Sequence, residues 1–208
     1  MPRAVGRRFF TQEVLAVAPA LLGCTVSHAG VTVRLTEVEA YGGVGGDPGS
    51  HAFRGPTPRT APMFDLGGVA YVYFTYGMHW CLNLVTGPAG RAEAVLLRAG
   101  EVVDGHDVAD ARRPGVRERD WCRGPARLAS ALAVDGRLSG LELGARRSGL
   151  VIRHRAQGEP VCVGTGPRVG VSGPGGEGAS YPWRFWIEGE PTVSPYRPAK
   201  PRAARRPG

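Results

Sequence analysis

Lysine is almost absent from this chain of 208 residues, in which Lys200 stands among 26 basic residues and all the others are arginines. Enzymes that form a Schiff base need a lysine side chain or another amine as the nucleophile. A reaction of that kind could therefore use only Lys200 or the N-terminal amine. Arginine, whose planar guanidinium suits phosphate oxygens, supplies nearly all of the positive charge.

Paired cysteines and long apolar runs are also missing. Without a Cys-x-x-Cys pair, the sequence disfavours a zinc finger and favours buried, reduced thiols at Cys24, Cys81, Cys122 and Cys162. There is no apolar run of membrane-spanning length, and no charged start followed by an apolar stretch and a cleavage site. These absences predict a reducing, cytoplasmic location.

The net charge of +8 allows two interpretations. It favours a polyanionic partner such as nucleic acid, but a basic surface can equally serve solubility alone. Part of the excess lies in 196–208, which is typical of a disordered basic tail and leaves the body only mildly basic. Charge alone does not decide between these two interpretations.

The pattern predicts short elements, because 32 glycines and 18 prolines imply many turns. A helix is expected over 11–22, beginning at Thr11 and broken at Pro19. Strands are expected on both sides of turns at 28–30 and 76–78, over 92–98, and in the last third of the chain. Helices are expected over 104–112 and 125–133. A long loop is expected over 41–62. We expect one mixed α+β domain over 1–195, followed by the basic tail.

Two acidic residues share one side of a predicted strand. Glu37 and Glu39 lie two positions apart, with Val38 and Ala40 on the opposite, apolar side. The pattern alone favours a solvated strand face. A carboxylate beside a glycine-rich loop and Tyr41 is nevertheless a candidate general base.

Aromatic residues crowd the predicted hairpin, which carries Tyr71, Tyr73, Phe74, Tyr76 and Trp80. Such a pattern is most often part of a core. Tyr76, however, directly precedes Gly77 at the expected tip, where a core residue is less expected. An exposed aromatic side chain at a tip can wedge between stacked bases.

Several spaced motifs together resemble the alkyladenine (3-methyladenine) DNA glycosylases. The matching segments, in the family's order, are EVEAYGG, SHAFRGPTPRTAPMF, VYFTYGMHWCLN, VLLRA, WCRGPARLASAL, RVGV and WRFWIEG. The resemblance covers nearly the whole chain, from about 9 to 194. The resemblance implies an α+β fold with a curved, mostly antiparallel sheet, flanking short helices and a protruding hairpin that inserts into DNA. It also implies hydrolysis of the bond between a damaged purine and its sugar, in duplex DNA, after the base has been flipped out.

The resemblance further implies roles for individual residues. Glu39 matches the base that activates the attacking water, and Arg98 matches an arginine that helps hold the site and its water. Tyr41, His51 and Tyr73 match residues that enclose and stack on the extruded base. Glu37 matches a partly variable acidic position, for which no catalytic role is expected.

The remaining implied positions concern selectivity and DNA contact. Asn83 matches an asparagine whose bulk disfavours the exocyclic amino group of guanine, and Tyr76, with Met78, matches the intercalating tip. We expect DNA backbone contacts from Arg123, Arg127 and His79, although ordinary surface or structural roles explain them nearly as well. The scheme requires no metal and no cofactor, and we expect a monomer.

The loop before His51 departs from the family's pattern. It holds one more residue than usual between Tyr41 and His51, and reads GGVGGDPGSH where an acidic stretch is common. The position of His51 in the pocket is therefore less firmly implied than that of Tyr41. His51 could protonate a neutral leaving base, or it could only form a hydrogen bond to backbone or phosphate.

Three rival functions follow from the same residues. A glycosylase that cleaves the backbone through a Schiff base would need an amine, and removal of Met1 would expose that of Pro2. A non-catalytic nucleic-acid-binding module would use the basic surface and the tip but gives no reason for Glu39 and Arg98 together. A small-molecule-binding α+β domain leaves Tyr76 unexplained.

Overall fold

In the part of the chain that the structure describes, the architecture centres on a curled sheet of eight strands in which all pairings are antiparallel. The structure is a computed structural model that describes residues 2–156 and 161–199. The strands are β1 (Thr25–His28), β2 (Val31–Tyr41), β3 (Ala70–Thr75), β4 (His79–Thr86), β5 (Glu93–Asp104), β6 (Val151–Arg153), β7 (Val163–Gly166) and β8 (Arg184–Ile187). Their order is β3-β4-β5-β2-β1-β6, with β8 paired to both β2 and β7. The expected α+β fold with an antiparallel sheet and short helices is confirmed.

Among the described residues, four short α-helices flank the sheet: α1 (Arg7–Phe10), α2 (Val14–Ala20), α3 (His106–Arg112) and α4 (Pro125–Ala131). The prediction that Thr11 begins a helix is wrong, because its hydroxyl donates to the carbonyl of Arg8 and so closes α1. Glu13 stands at the N-cap of α2 instead. Pro19 lies in the last turn of α2, and the helix ends one residue later.

Strand β2 changes the face that its side chains present. Its register with β5 shifts at three places, after Thr32, after Leu35 and after Glu37. At the second, Leu35 lies opposite Gly100 and Glu37 opposite Ala99, so that Thr36 is the extra residue in β2. Such a β-bulge adds one residue to one strand and re-aims the side chains that follow. Before the bulge, odd-numbered residues such as Leu35 belong to the core; after it, the core residues are Val38 and Ala40. Glu37 and Glu39 are thereby placed on the other side of the sheet.

The main hydrophobic core lies between the sheet and helices α2 and α4. Cys24, Cys81 and Cys122 are buried as predicted, but the prediction is wrong for Cys162, which lies exposed just before β7. Within the part of the chain that the structure describes, no helix is both long and apolar enough to cross a membrane. The predicted boundary at 195 stays a prediction, and most of the predicted tail lies outside the described residues.

Candidate active site

The face of the sheet opposite the core forms the floor of a cavity of about 700 Å³. Because side chains alternate along a strand, one set faces this cavity, while neighbours such as Val72, Leu82 and Val95 lie in the core. The cavity-facing set comprises Tyr71 and Tyr73 of β3, Cys81 and Asn83 of β4, and Ala94, Leu96 and Arg98 of β5. A volume of this size is within the usual range for sites that bind small molecules.

Glu39 lies directly behind the wall of this cavity. Its side chain is 0% exposed, and its carboxylate accepts hydrogen bonds from the backbone N–H of Val169 at 2.7 Å and the hydroxyl of Tyr41 at 2.8 Å. Arg98 Nη1 lies 3.3 Å from the same carboxylate. Three donors therefore face Glu39. A carboxylate has about four acceptor positions, so capacity for one further donor, such as water, remains.

Glu37 lies deeper than Glu39, and these two carboxylates together form the acidic site. Its carboxylate lies 2.8 Å from Arg98 Nε and 2.7 Å from Arg184 Nε, and accepts hydrogen bonds from both the backbone N–H and the hydroxyl of Ser194. Burial alone would raise the pKa of Glu37, but the two arginines and Ser194 outweigh it and lower that pKa below its ordinary value. The interpretation of Glu37 and Glu39 as a solvated strand face is wrong, because β8 and the segments after β7 and β8 cover them.

Aromatic side chains line the cavity beside the acidic site. Burial, and then the nearby charge of Glu39, raise the pKa of Tyr41 well above its ordinary value, so Tyr41 remains a neutral donor to that carboxylate. The rings of Tyr73 and His51 meet edge to face, 4.6 Å between centroids. Asn83 is buried and donates its side-chain N–H to the carbonyl of Tyr71. The structure therefore brings all four predicted pocket residues (Tyr41, His51, Tyr73 and Asn83) to one cavity.

His51 is held by Tyr71, an interaction that sequence reasoning did not predict. Its Nδ1 lies 3.1 Å from the hydroxyl of Tyr71, which is itself buried. Partial desolvation, followed by the positive charge of Arg59, lowers the pKa of His51 below its ordinary value. His51 is therefore neutral at pH 7, which disfavours the hypothesis that it protonates a leaving base and favours a hydrogen-bonding role.

The hairpin tip carries large apolar side chains into the solvent. Strands β3 and β4 pair up to Thr75 and His79, and Tyr76, Gly77 and Met78 form the connection. Tyr76 is 86% exposed and Met78 is 68% exposed, and Tyr76 and His79 also line the cavity. Tyr76 adopts a φ of 51°, a left-handed conformation that is unusual for a bulky residue. Neither burial nor backbone preference explains an aromatic side chain here, so a role in binding is indicated.

The three expected DNA-backbone residues differ in how free their side chains are. Arg123 donates to the carbonyl of Val193 at 2.9 Å and lies 3.4 Å from Asp120, so much of its donor capacity is used within the fold. Arg127, about half exposed, lies 4.0 Å from Asp120. His79 is exposed at the cavity rim, and Pro125 at the start of α4 lines the same cavity.

A buried ion pair, which sequence reasoning missed, ties two loops together beside Glu39. Arg168 Nη1 and Nη2 each lie 2.6 Å from an oxygen of Asp47, and both side chains are 0% exposed. Asp47 also accepts hydrogen bonds from the backbone N–H groups of Gly42 and Gly49. A Cβ on Gly175 would collide with the backbone of Gly49, so the close approach of the two loops requires glycine at position 175.

This ion pair also supports the Glu39 carboxylate. The Arg168 guanidinium lies over the rings of Tyr41, Tyr181 and Trp183, 4.6 to 5.4 Å from their centroids. The next residue, Val169, provides the backbone N–H that binds Glu39. In the RVGV motif, the arginine therefore joins the two loops through Asp47, and the backbone N–H of the next residue binds Glu39. The motif was recognisable in the sequence, but its partner Asp47, 121 positions away, was not.

Metal ligation has no visible basis among the described residues: nowhere in 2–156 and 161–199 do three or more His, Cys, Asp or Glu side chains gather as they would around a metal ion. The charged groups at the site are instead paired with one another.

Comparison with known proteins relates the chain to one family. The family model described as "Methylpurine-DNA glycosylase (MPG)" matches residues 8–191. A protein of Frankia casuarinae is 53% identical over 209 residues, covering 95% of each chain; one of Streptomyces avermitilis is 51% identical over 205 residues, covering 96% of this chain and 94% of its own. Both are named "Putative 3-methyladenine DNA glycosylase". The chain therefore belongs to the methylpurine-DNA glycosylase family.

Proposed function

We propose that this protein is a monofunctional DNA-repair glycosylase that hydrolyses the N-glycosidic bond of alkylated or deaminated purines in double-stranded DNA. The observation that carries the proposal is the position of Glu39, paired with Arg98 behind an aromatic cavity whose rim bears the exposed Tyr76. The names of the similar proteins point to 3-methyladenine as one such base. We further propose that the protein acts as a cytoplasmic monomer on chromosomal DNA, with no cofactor.

Access to the damaged base requires its removal from the duplex. The cavity floor is formed by the sheet, so a base inside a helical stack cannot reach it without leaving the stack. Extrusion costs a few kcal/mol of lost stacking and pairing. Tyr76 and Met78, exposed at the hairpin tip, would fill the gap that the base leaves and so offset part of that cost.

Recognition of the extruded base would combine stacking and charge. Tyr41, Tyr73 and His51 provide aromatic faces or edges at the cavity, and stacking contributes about 1–3 kcal/mol per base. An alkylated purine carries a positive charge, which is attracted to an aromatic ring, whereas a normal purine is neutral. Asn83, fixed by its hydrogen bond to Tyr71, would restrict the space for an exocyclic amino group such as that of guanine.

Hydrolysis would then use Glu39 as the general base. The carboxylate takes a proton from a water molecule as that water attacks the sugar C1′, and the bond from C1′ to the purine nitrogen breaks. An alkylated purine leaves as a neutral molecule, because the bonding electrons cancel its positive charge. Arg98 holds Glu39 in place, and Tyr41 donates to its other oxygen. No protein amine takes part in these steps.

The test of this function follows both the base and the DNA strand. Duplexes carrying 3-methyladenine, 7-methylguanine, hypoxanthine or ethenoadenine are incubated with the protein, and free bases are separated by chromatography while the strand is sized on a gel. We expect a free base and an uncut strand that breaks only on later treatment with alkali. A strand cut by the protein, with an adduct trapped by borohydride, would instead establish the Schiff-base mechanism.

Replacing Tyr76 with alanine should impair base extrusion more than folding. The side chain is 86% exposed, so its loss removes little packing. We expect an unchanged thermal midpoint and a base-release rate about 10-fold or more lower, as loss of a wedge against a few kcal/mol of stacking implies. Fluorescence of 2-aminopurine beside the lesion reports extrusion directly, with Tyr76→Phe as the control that keeps the ring. A lowered thermal midpoint with unchanged extrusion would contradict the proposed role.

Replacing Arg127 with glutamine should weaken DNA binding without slowing chemistry. Its guanidinium is only loosely paired with Asp120 and can neutralise a phosphate. Each phosphate that a protein neutralises contributes about 0.9 to the slope of log affinity against log salt. We therefore expect a slope shallower by that amount in a salt titration, with the release rate at saturating DNA unaffected. Arg123→Gln is the contrasting variant and should lower stability, because Arg123 is hydrogen-bonded to Val193. An unaltered slope for Arg127→Gln would remove Arg127 from the DNA interface.

A further inference from the structure

Four buried charges meet at the inner end of the site, and they cancel. Glu37 and Glu39 are 0% exposed, and the side chains of Arg98 and Arg184 are 7% and 6% exposed. Each ion pair in this cluster is short, between 2.7 and 3.3 Å. Buried charges are tolerated only when they are paired and hydrogen-bonded, so removal of one member leaves an uncompensated charge.

The guanidinium of Arg98 is divided between the two carboxylates. Its Nε donates to Glu37 at 2.8 Å, its Nη1 lies 3.3 Å from Glu39, and its Nη2 donates to the hydroxyl of Ser194 at 3.4 Å. Because these nitrogens are fixed in one plane, the hydrogen bond to Glu37 sets the direction in which Nη1 points. Glu37 is in turn fixed by Arg184 and by two donors of Ser194.

We propose that Glu37 is a positioning residue for the hydrolysis: it orients Arg98 toward Glu39 and supplies the negative charge that balances Arg184. This inference rests on the proposed function, in which Glu39 is the base. Neither carboxylate lines the cavity itself, but the three donors to Glu39 (Tyr41, Arg98 and Val169) all do. Of the partners of Glu37, only Arg98 lines the cavity, so Glu37 acts through Arg98. Its role is distinct from that of Glu39 even though both stand on β2 and contact the same arginine.

Charge balance gives Glu37 a second effect on the reaction. Without its negative charge, two arginines would face one carboxylate, and the extra positive charge would weaken Glu39 as a base. Removal of Arg184 would have the opposite effect. Besides Glu37, Arg98 and Arg184, the titratable or charged groups near Glu39 are Tyr41, Tyr73, Cys81 and Arg168.

The test compares three variants by single-turnover base release across pH. Glu37→Gln should lower the rate about 10- to 100-fold, as a misplacement near the reacting atoms does, and move the acid limb of the profile to lower pH. Arg184→Gln should move that limb to higher pH. The double variant restores neutrality and should return the limb toward its wild-type position, with a rate above that of Glu37→Gln alone.

Glu93→Gln provides the matched control. Glu93 is a buried carboxylate on β5 that pairs with Arg91 and accepts a hydrogen bond from the backbone of Val14, but it does not line the cavity. This variant should lose stability without any shift of the acid limb. If the limb stays fixed in both Glu37→Gln and Arg184→Gln, or if the double variant is slower than Glu37→Gln, Glu37 is only structural.

The proposed function and this inference fail in different ways. A wild-type protein that releases no base contradicts the proposed function, whatever the variants do. If the wild type is active but the acid limb of the pH profile does not move in the variants, only the role of Glu37 is contradicted. Should Glu37→Gln fail to fold, Arg184→Gln decides alone, since a limb that does not move to higher pH overturns the charge-balance argument.

Discussion

Replacing Glu39 with glutamine is expected to lower the single-turnover rate of base release by about 10²–10⁴-fold, the usual contribution of a general base. Glutamine has the same shape and can still accept the hydrogen bond from Val169, and Tyr41 can turn its hydroxyl to accept from the new amide. The variant no longer has a carboxylate that can take a proton from water. Binding to a damaged duplex, measured by fluorescence anisotropy, should change little.

The control for this variant is again Glu93→Gln, a buried carboxylate that does not line the cavity and pairs with Arg91. It should release the base at close to the wild-type rate under conditions where it is folded. If the Glu39→Gln variant is folded, binds the duplex and releases the base at the wild-type rate, Glu39 is not the general base.

Replacing Asp47 with asparagine should lower the free energy of unfolding by about 3–5 kcal/mol, the usual cost of breaking a buried ion pair by removing one partner. The substitution leaves the Arg168 charge buried without its counter-charge and puts a donor where an oxygen now accepts hydrogen bonds. Urea denaturation measures the resulting decrease in stability. Base release should fall as well, because Val169, next to Arg168, fixes Glu39.

Asp135→Asn is the control for Asp47→Asn, because it removes one partner of an exposed ion pair instead of a buried one. Asp135 pairs with the highly exposed Arg137 and accepts the backbone N–H of the same residue, a hydrogen bond that asparagine also makes. The decrease in its stability should be a small fraction of that of Asp47→Asn. Equal decreases in the two variants would show that the buried Asp47–Arg168 pair stabilises the fold no more than an exposed ion pair does.

Much of the fold could be predicted because turns and strands depend largely on residues that are close together in the sequence. The turn between β1 and β2 falls at Ala29 and Gly30, both in the left-handed region, as the predicted hairpin required. Strand β5 begins at Glu93, one residue after the predicted start, and extends beyond the predicted end to Asp104, because β2 continues to offer hydrogen bonds there. Thr11 was misplaced because a threonine hydroxyl can close one helix as readily as it begins another.

The acidic site was only half predictable. Alternation along a strand correctly placed Glu37 and Glu39 on one side, but it could not show that this side is covered. The covering groups, Arg184, Ser194 and Val169, come from segments more than 100 positions away. Long-range pairings of this kind leave no periodicity in the sequence, so the sequence alone gave no reason to assign Glu37 a role.

The most direct test of the central claim is release of a damaged base by the wild-type protein from two duplexes that differ at one position, 3-methyladenine or adenine. We expect free 3-methyladenine from the first duplex, an uncut abasic strand, and no adenine from the second on the same time scale. A folded protein that binds the first duplex and releases no base would contradict the account and establish the non-catalytic binding function instead.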